Sequence, residues 1–227
     1  MVKLMGPLII KFLSRAWLFI PVFCVGFFLI APQDASGKGI LSKLKKSFKA
    51  RIKKEKKPPK RTSVLYLGDS MSMGAFGNAF DLKLREAGFE VYTYVAGGAT
   101  PYYWLSRYEP VASDIGFWEK TPAVNRRQKV IKEVPKVESL VEDWNPDIVV
   151  IQTGTNLYSS LRSKRREKSD NIAVVEGLCR DMAKAAVSGG RRCYWIAPPS
   201  SHPERFSYAL QNEMSDIMND AVSPFGR

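Results

Sequence analysis

Ser70 follows a glycine and an aspartate at the end of a short apolar run, Ser63-Val64-Leu65-Tyr66-Leu67-Gly68-Asp69-Ser70. A serine at a junction of strand and helix has its hydroxyl exposed, and the N–H groups of the helix start favour negative charge on a nearby oxygen. Two further apolar runs end in residues of the same kind: Gly97-Gly98 after FEVYTYVA, and Gly154-Thr155-Asn156 after DIVVIQT. Singly these are turn formers. Together they offer a nucleophile and hydrogen-bond donors suited to an ester carbonyl that becomes tetrahedral under attack. Such a serine needs an imidazole held by a carboxylate. The single histidine is His202, in APPSSHPERF, with Glu204 close by in sequence. Asp69 adjoins the nucleophile in a tight turn, where its side chain points elsewhere, so it is assigned to holding that turn.

Strands and helices alternate from Thr62 onward. SVLYLG is the first strand, and Ala75 to Gly88 reads as a helix with Phe76, Phe80, Leu84 and Ala87 on one face. FEVYTYVAGG is a second strand, DIVVIQTGTN a third of the buried kind, and CYWIAPP a fourth. Helices are expected around Val130–Trp144 with a break at Pro135, over Asn171–Val187 and over Arg205–Asp220, while Ala99–Arg126 reads as a long irregular stretch rich in aromatics. This order predicts an α/β domain of three layers, a parallel sheet wrapped on both faces. In such sheets ligands bind at the carboxyl ends of the strands, where all three motifs fall.

From about Val64 to Asp220 the chain resembles the SGNH hydrolases, also called the GDSL esterases and lipases. VLYLGDSMSMG is similar to the family's first block, VAGGAT to its second and IQTGTN to its third. The resemblance implies a flavodoxin-like fold. It assigns Ser70 as nucleophile and as one oxyanion donor through its amide, the Gly97 amide as the second donor and the Asn156 side chain as the third. Val95 stands where the family has an Asn, and Leu157 where an Asp is customary. The family's Asp-x-x-His pair, which follows a fifth strand, has no counterpart: Pro199 occupies the place of the acid before His202. Two expectations stand side by side. In one the chain lacks its last segment, with the edge strand and the Asp-His pair; in the other His202 with Glu204 or another acid replaces them.

The formal net charge is +13, and its location matters more than its size. Residues 38–61 hold twelve Lys or Arg against Glu55, whereas residues 62–227 hold 20 basic and 20 acidic residues. The neutral body argues against a nucleic-acid groove. Residues 1–37 include AWLFIPVFCVGFFLIA, uncharged from Ala16 to Ala31 and preceded by Lys3, Lys11 and Arg15, which reads as a signal peptide or membrane anchor. In residues 38–61, Ile40, Leu44, Phe48 and Ile52 recur four apart among lysines, an amphipathic basic helix suited to anionic lipid, or else a solvated linker. The signal-like layout places the domain, residues 62–227, in the periplasm, inner-membrane anchored or secreted; the positive-inside rule taken alone argues for the cytoplasm.

Cys179 and Cys193 read as buried thiols, or as a disulfide in an oxidising compartment. Arg162-Ser163-Lys164-Arg165-Arg166 reads as a solvated loop able to attract an anionic polymer. No metal site and no cofactor are expected. The reading reached is a serine ester hydrolase acting on O-acetyl or other acyl esters of envelope carbohydrate, impaired if the last segment is lost. An O-acyltransferase, or a non-catalytic membrane-associated envelope protein, is the alternative.

Overall fold

The computed structural model describes residues 60–225. The apolar leader and nearly all of the basic tract therefore lie outside the described residues. Among those described, no helix is long and apolar enough to cross a membrane.

The chain builds a mixed sheet of six strands. β1 (Ser63–Gly68), β2 (Glu90–Ala96), β5 (Ile148–Gln152) and β6 (Arg192–Trp195) are the expected parallel strands. β3 (Phe117–Lys120) and β4 (Asn125–Gln128) form an antiparallel hairpin added at the β2 edge, giving the order β4-β3-β2-β1-β5-β6. An all-parallel sheet is thus corrected to a mixed one, and Ala99–Arg126, which also holds the one-turn helix α2 (Pro101–Trp104), is not wholly irregular. The hairpin escapes periodicity because β3 has only four residues and every residue of β4 is exposed and polar. Its anchor is tertiary. The Arg127 guanidinium lies 4.4 Å from the centre of the Trp118 ring and donates to the Met73 carbonyl at 3.0 Å and to Asn78 Oδ1 at 2.6 Å.

Side-chain alternation divides the core between two faces. Leu65, Leu67, Val149 and Ile151 pack with α3 (Val137–Trp144), α5 (Lys168–Val187) and α6 (Tyr208–Val222). Val64, Tyr66, Ile148 and Val150 face Phe80 and Leu84 of α1 (Ala75–Glu86). Phe76, expected on the buried face of α1, is 48% exposed, and the buried residues of that helix are Gly77 and the fully buried Asp81. This carboxylate receives Arg85, Lys120 and, at 2.7 Å, the Thr93 hydroxyl, so it is held by cations from its own helix and from β3. Its pKa stays below the ordinary carboxylate range, because these partners outweigh the desolvation that opposes them. α3 starts after Pro135 rather than before it, and Ile131 instead bridges to Ser113. Cys179 and Cys193 are both buried and free, and burial pushes each thiol up to about 12.

Candidate active site

Strand register brings the motifs to one edge. Gly68 lies opposite Val95 of β2 and opposite Gln152 of β5. Ser70, Gly97 and Gly154 are therefore each two residues past one line across three adjacent strands, at their carboxyl ends. The Asp69 amide continues the ladder by donating to the Gln152 carbonyl at 3.0 Å, after which the chain turns sharply. The close turn requires Gly68, because a Cβ there would sit 2.5 Å from Ser72 Cβ. Gly154 has φ +151°, and a Cβ would lie 2.5 Å from Pro198 Cγ, so the loop after β6 packs directly over the end of β5.

Ser70 is half-buried and opens a single 3-10 turn, Ser70–Met73. Asp69 caps this turn: its Oδ1 accepts from the Met71 amide at 2.9 Å. That leaves the Ser70 amide at the N-terminal end of the turn without a described acceptor. Asp69 is fully buried. Burial pushes its carboxyl up from 3.8 to about 6, against the lowering effect of the Met71 and Gly154 amides, the Gln152 side chain and the Thr155 amide.

Beneath the turn runs a buried hydrogen-bond chain that local sequence does not announce. The Tyr66 hydroxyl meets Ser72 Oγ at 2.6 Å, and Ser72 Oγ donates to Gln152 Oε1 at 2.5 Å. Ser72 has one proton, which goes to Gln152, so Tyr66 is the donor to Ser72. Gln152 is the one strongly polar side chain in the apolar run of β5, and that was the available signal. Asp69 Oδ2, Gln152 Nε2, Thr153 Oγ1 and Thr155 Oγ1 are buried here without a well-formed hydrogen bond. Among the described residues only Trp104 Nε1 and Arg191 Nε share that condition elsewhere. Four of these six atoms gather at one strand edge, where water or a ligand could satisfy them.

The expected donors divide. Gly97 follows β2 as predicted, but its amide donates to the Gly116 carbonyl at 2.8 Å, so the β3 pairing occupies it. The next amide, that of Gly98, has no described acceptor. Asn156 is half-buried and immediately precedes the short helix α4 (Leu157–Leu161), without a capping hydrogen bond from its side chain. Its Nδ2 donates one hydrogen to the Ala99 carbonyl at 3.0 Å, which ties the β5 loop to the β2 loop and leaves the second hydrogen free. His202 sits apart in character: its side chain is 72% exposed, and Glu204 Oε2, 3.6 Å from Nδ1, belongs to a side chain 89% exposed. A carboxylate so exposed does not fix an imidazole in one orientation. Beside the turn an apolar cavity of about 260 Å³ is lined by Met71, Phe76, Gln152, Ile196, Ala197 and Pro199. Among the described residues no cluster of His, Cys, Asp and Glu is suited to a metal ion.

No protein-family model matches the chain, and no curated protein matches its sequence. Among solved structures, the acetyl xylan esterase AlAXEase is similar over 72% of this chain and 73% of its own, with 14% identity and a TM-score of 0.45. TesA is similar over 72% and 74%, with 16% identity and a TM-score of 0.45. A DUF4886 family protein from Bacteroides uniformis is similar over 73% of this chain at 14% identity and a TM-score of 0.44, and this chain spans 63% of its length. At these values no chemistry transfers to this chain.

Proposed function

We propose that the domain is a serine ester hydrolase, with Ser70 the nucleophile and the oxyanion held by the Ser70 amide, the Gly98 amide and the free hydrogen of Asn156 Nδ2. The observation that carries this reading is the common strand edge at which a half-exposed serine on a capped turn meets unengaged donors and several unsatisfied buried polar groups. Ser70 Oγ would attack the acyl carbonyl, its proton passing to solvent and a proton from solvent going to the departing alkoxide; water then cleaves the acyl-enzyme, releasing the acid and restoring the Ser70 hydroxyl. The class of ester comes from the sequence resemblance: acyl groups, O-acetyl foremost, on envelope carbohydrate. The deciding experiment is incubation with a fluorophosphonate and mass spectrometry. One phosphonyl group on the peptide that contains Ser70 is expected, and an unmodified Ser70 would remove the reading.

The exposure of His202 and Glu204 favours a second reading, a scaffold without turnover. His202→Ala is accordingly expected to change the rate on an aryl acetate by less than about twofold. A collapse of the rate in that variant would make His202 the base. The apolar leader and residues 38–61 would place this domain against a membrane at the envelope. Sedimentation with anionic vesicles is expected to be strong at low salt and weak at high salt, since physiological ionic strength limits the reach of the lysines to ~8 Å. Equal binding to neutral vesicles would leave residues 38–61 as a solvated linker.

A further inference from the structure

A rim of unpaired cations lies one short helix from Asn156. α4 carries the chain from Asn156 to Arg162, a rise of about 9 Å. Residues 162–168 then hold five basic side chains against Glu167. The loop is fixed rather than loose. Asn171, 2% exposed, donates to the Ser163 carbonyl at 2.7 Å and accepts from Arg166 Nε at 3.1 Å, while the Ser163 amide donates to the Ser160 carbonyl at 3.2 Å. Across from it, Arg205 arrives on the segment between β6 and α6. The guanidinium carbons of Arg162 and Arg205 lie 5.1 and 5.2 Å from the centre of one ring, Phe206, which is itself stacked on Tyr158 at 4.1 Å.

Both guanidinium groups lie about 5 Å from the centre of one ring, so they are at most about 10 Å apart, within reach of a single extended anion. Among the described residues none of Arg162, Lys164, Arg165 and Arg205 has a carboxylate within ion-pair distance. Of the acids nearby, Glu204 lies toward His202 and Glu213 pairs with Lys168, while Glu167 and Asp170 stand at the start of α5, where they complement the helix terminus. Elsewhere Arg85, Arg107, Arg126 and Arg180 pair with Asp81, Asp181, Glu119 and Glu176, and Arg127 and Arg191, which lack a carboxylate among the described residues, donate instead to Asn78 and Asn145.

We propose that this rim binds carboxylate or phosphate groups carried by the same molecule whose ester reaches Ser70, so that the substrate is an anionic acylated polymer rather than a neutral one. The inference rests on the ester-hydrolase reading. Planar guanidinium groups suit both anions through paired N–H donors, and the rise of about 9 Å from Asn156 to Arg162 suits a neighbouring unit of the polymer that bears the ester.

The test compares kcat/KM of the full chain on O-acetylated polygalacturonate and on neutral O-acetylated xylan. The unaltered chain is expected to prefer the anionic polymer by about tenfold or more, and the preference to fall at high salt. A variant with Arg162, Lys164, Arg165 and Arg205 each changed to Gln is expected to lose most of the preference while keeping its rate on the neutral polymer. A second variant, with Lys43, Lys45, Lys46 and Lys49 changed to Gln, removes as many charges from the basic tract and is expected to keep the preference. Inhibition by polyphosphate, set against inhibition by unesterified polygalacturonate at equal charge, separates phosphate from carboxylate. Equal kcat/KM values for the two polymers, or equal losses in the two variants, would overturn the proposal. If neither polymer is hydrolysed, the ester-hydrolase reading and the substrate claim fall, and affinity electrophoresis decides the rim: polyanion binding weakened more by the rim variant than by the tract variant retains an anion site, and the opposite order removes it.

Discussion

Changing Ser70 to alanine is expected to take fluorophosphonate labelling from about one group per chain to none, while folding is unaffected. The hydroxyl is half-buried at the first position of a turn whose cap is the Asp69 side chain, so alanine removes one oxygen and leaves the hydrogen bond from Met71 to Asp69 in place. On an aryl acetate the loss is expected to be at least about tenfold, with the oxyanion donors left behind supplying the residual rate. The informative contrast is with Ser72→Ala. Ser72 is fully buried and bonded to Tyr66 and Gln152, so its loss lowers stability without removing the labelled atom. Labelling that survives Ser70→Ala, or that vanishes only with Ser72→Ala, would place the nucleophile elsewhere.

Stability is expected to fall as pH rises through 6, and the fall to disappear in Asp69→Asn. Asp69 ionises near 3.8 when unfolded and near 6 when folded. A raised folded-state pKa means that the native chain binds the proton more tightly, so this contribution is fully present below pH 3.8 and is lost once pH passes 6. Each tenfold difference in proton affinity between the folded and unfolded chain is worth about 1.4 kcal/mol, so the whole loss is about 3 kcal/mol, of which about 2 falls between pH 4 and pH 7. Tyr66, pushed up to about 12 by burial, stays protonated throughout the window, and Asp81, lowered, acts in the opposite sense at lower pH. The measurement is urea unfolding at several pH values for both chains. Parallel curves would show that Asp69 keeps an ordinary pKa and that its burial is offset by the surrounding amides. The amide side chain of the Asp69→Asn variant keeps an oxygen for the Met71 N–H, so the difference in slope, and not the absolute stability, is the quantity to compare.

The four parallel strands were legible because each is a short apolar run closed by glycine or proline. The placement of their ends also followed, since parallel strands joined by helices finish on the same side of a sheet. Local sequence places Ser70, Asp69 and Asn156 at those strand ends for that reason. It also localised the excess charge to residues 38–61 and left the body neutral. Other features depend on which distant segments meet. Gly97 and Gly98 are indistinguishable as neighbours in the chain; Gly98 keeps the unengaged amide because β3 pairs with β2 and its Gly116 carbonyl takes the amide of Gly97. β4 has no apolar pattern to announce it and is held by Arg127 against Trp118 and the turn after Ser70. Gln152 finds its partner only because the turn after β1 brings Ser72, itself bonded to Tyr66, against it. Residue type and spacing determine which groups can act and at which strand end they emerge, because those follow from backbone geometry over a few residues. Which of them remain free to act is decided by long-range pairing, because a hydrogen bond to a distant partner consumes a donor that no local pattern records.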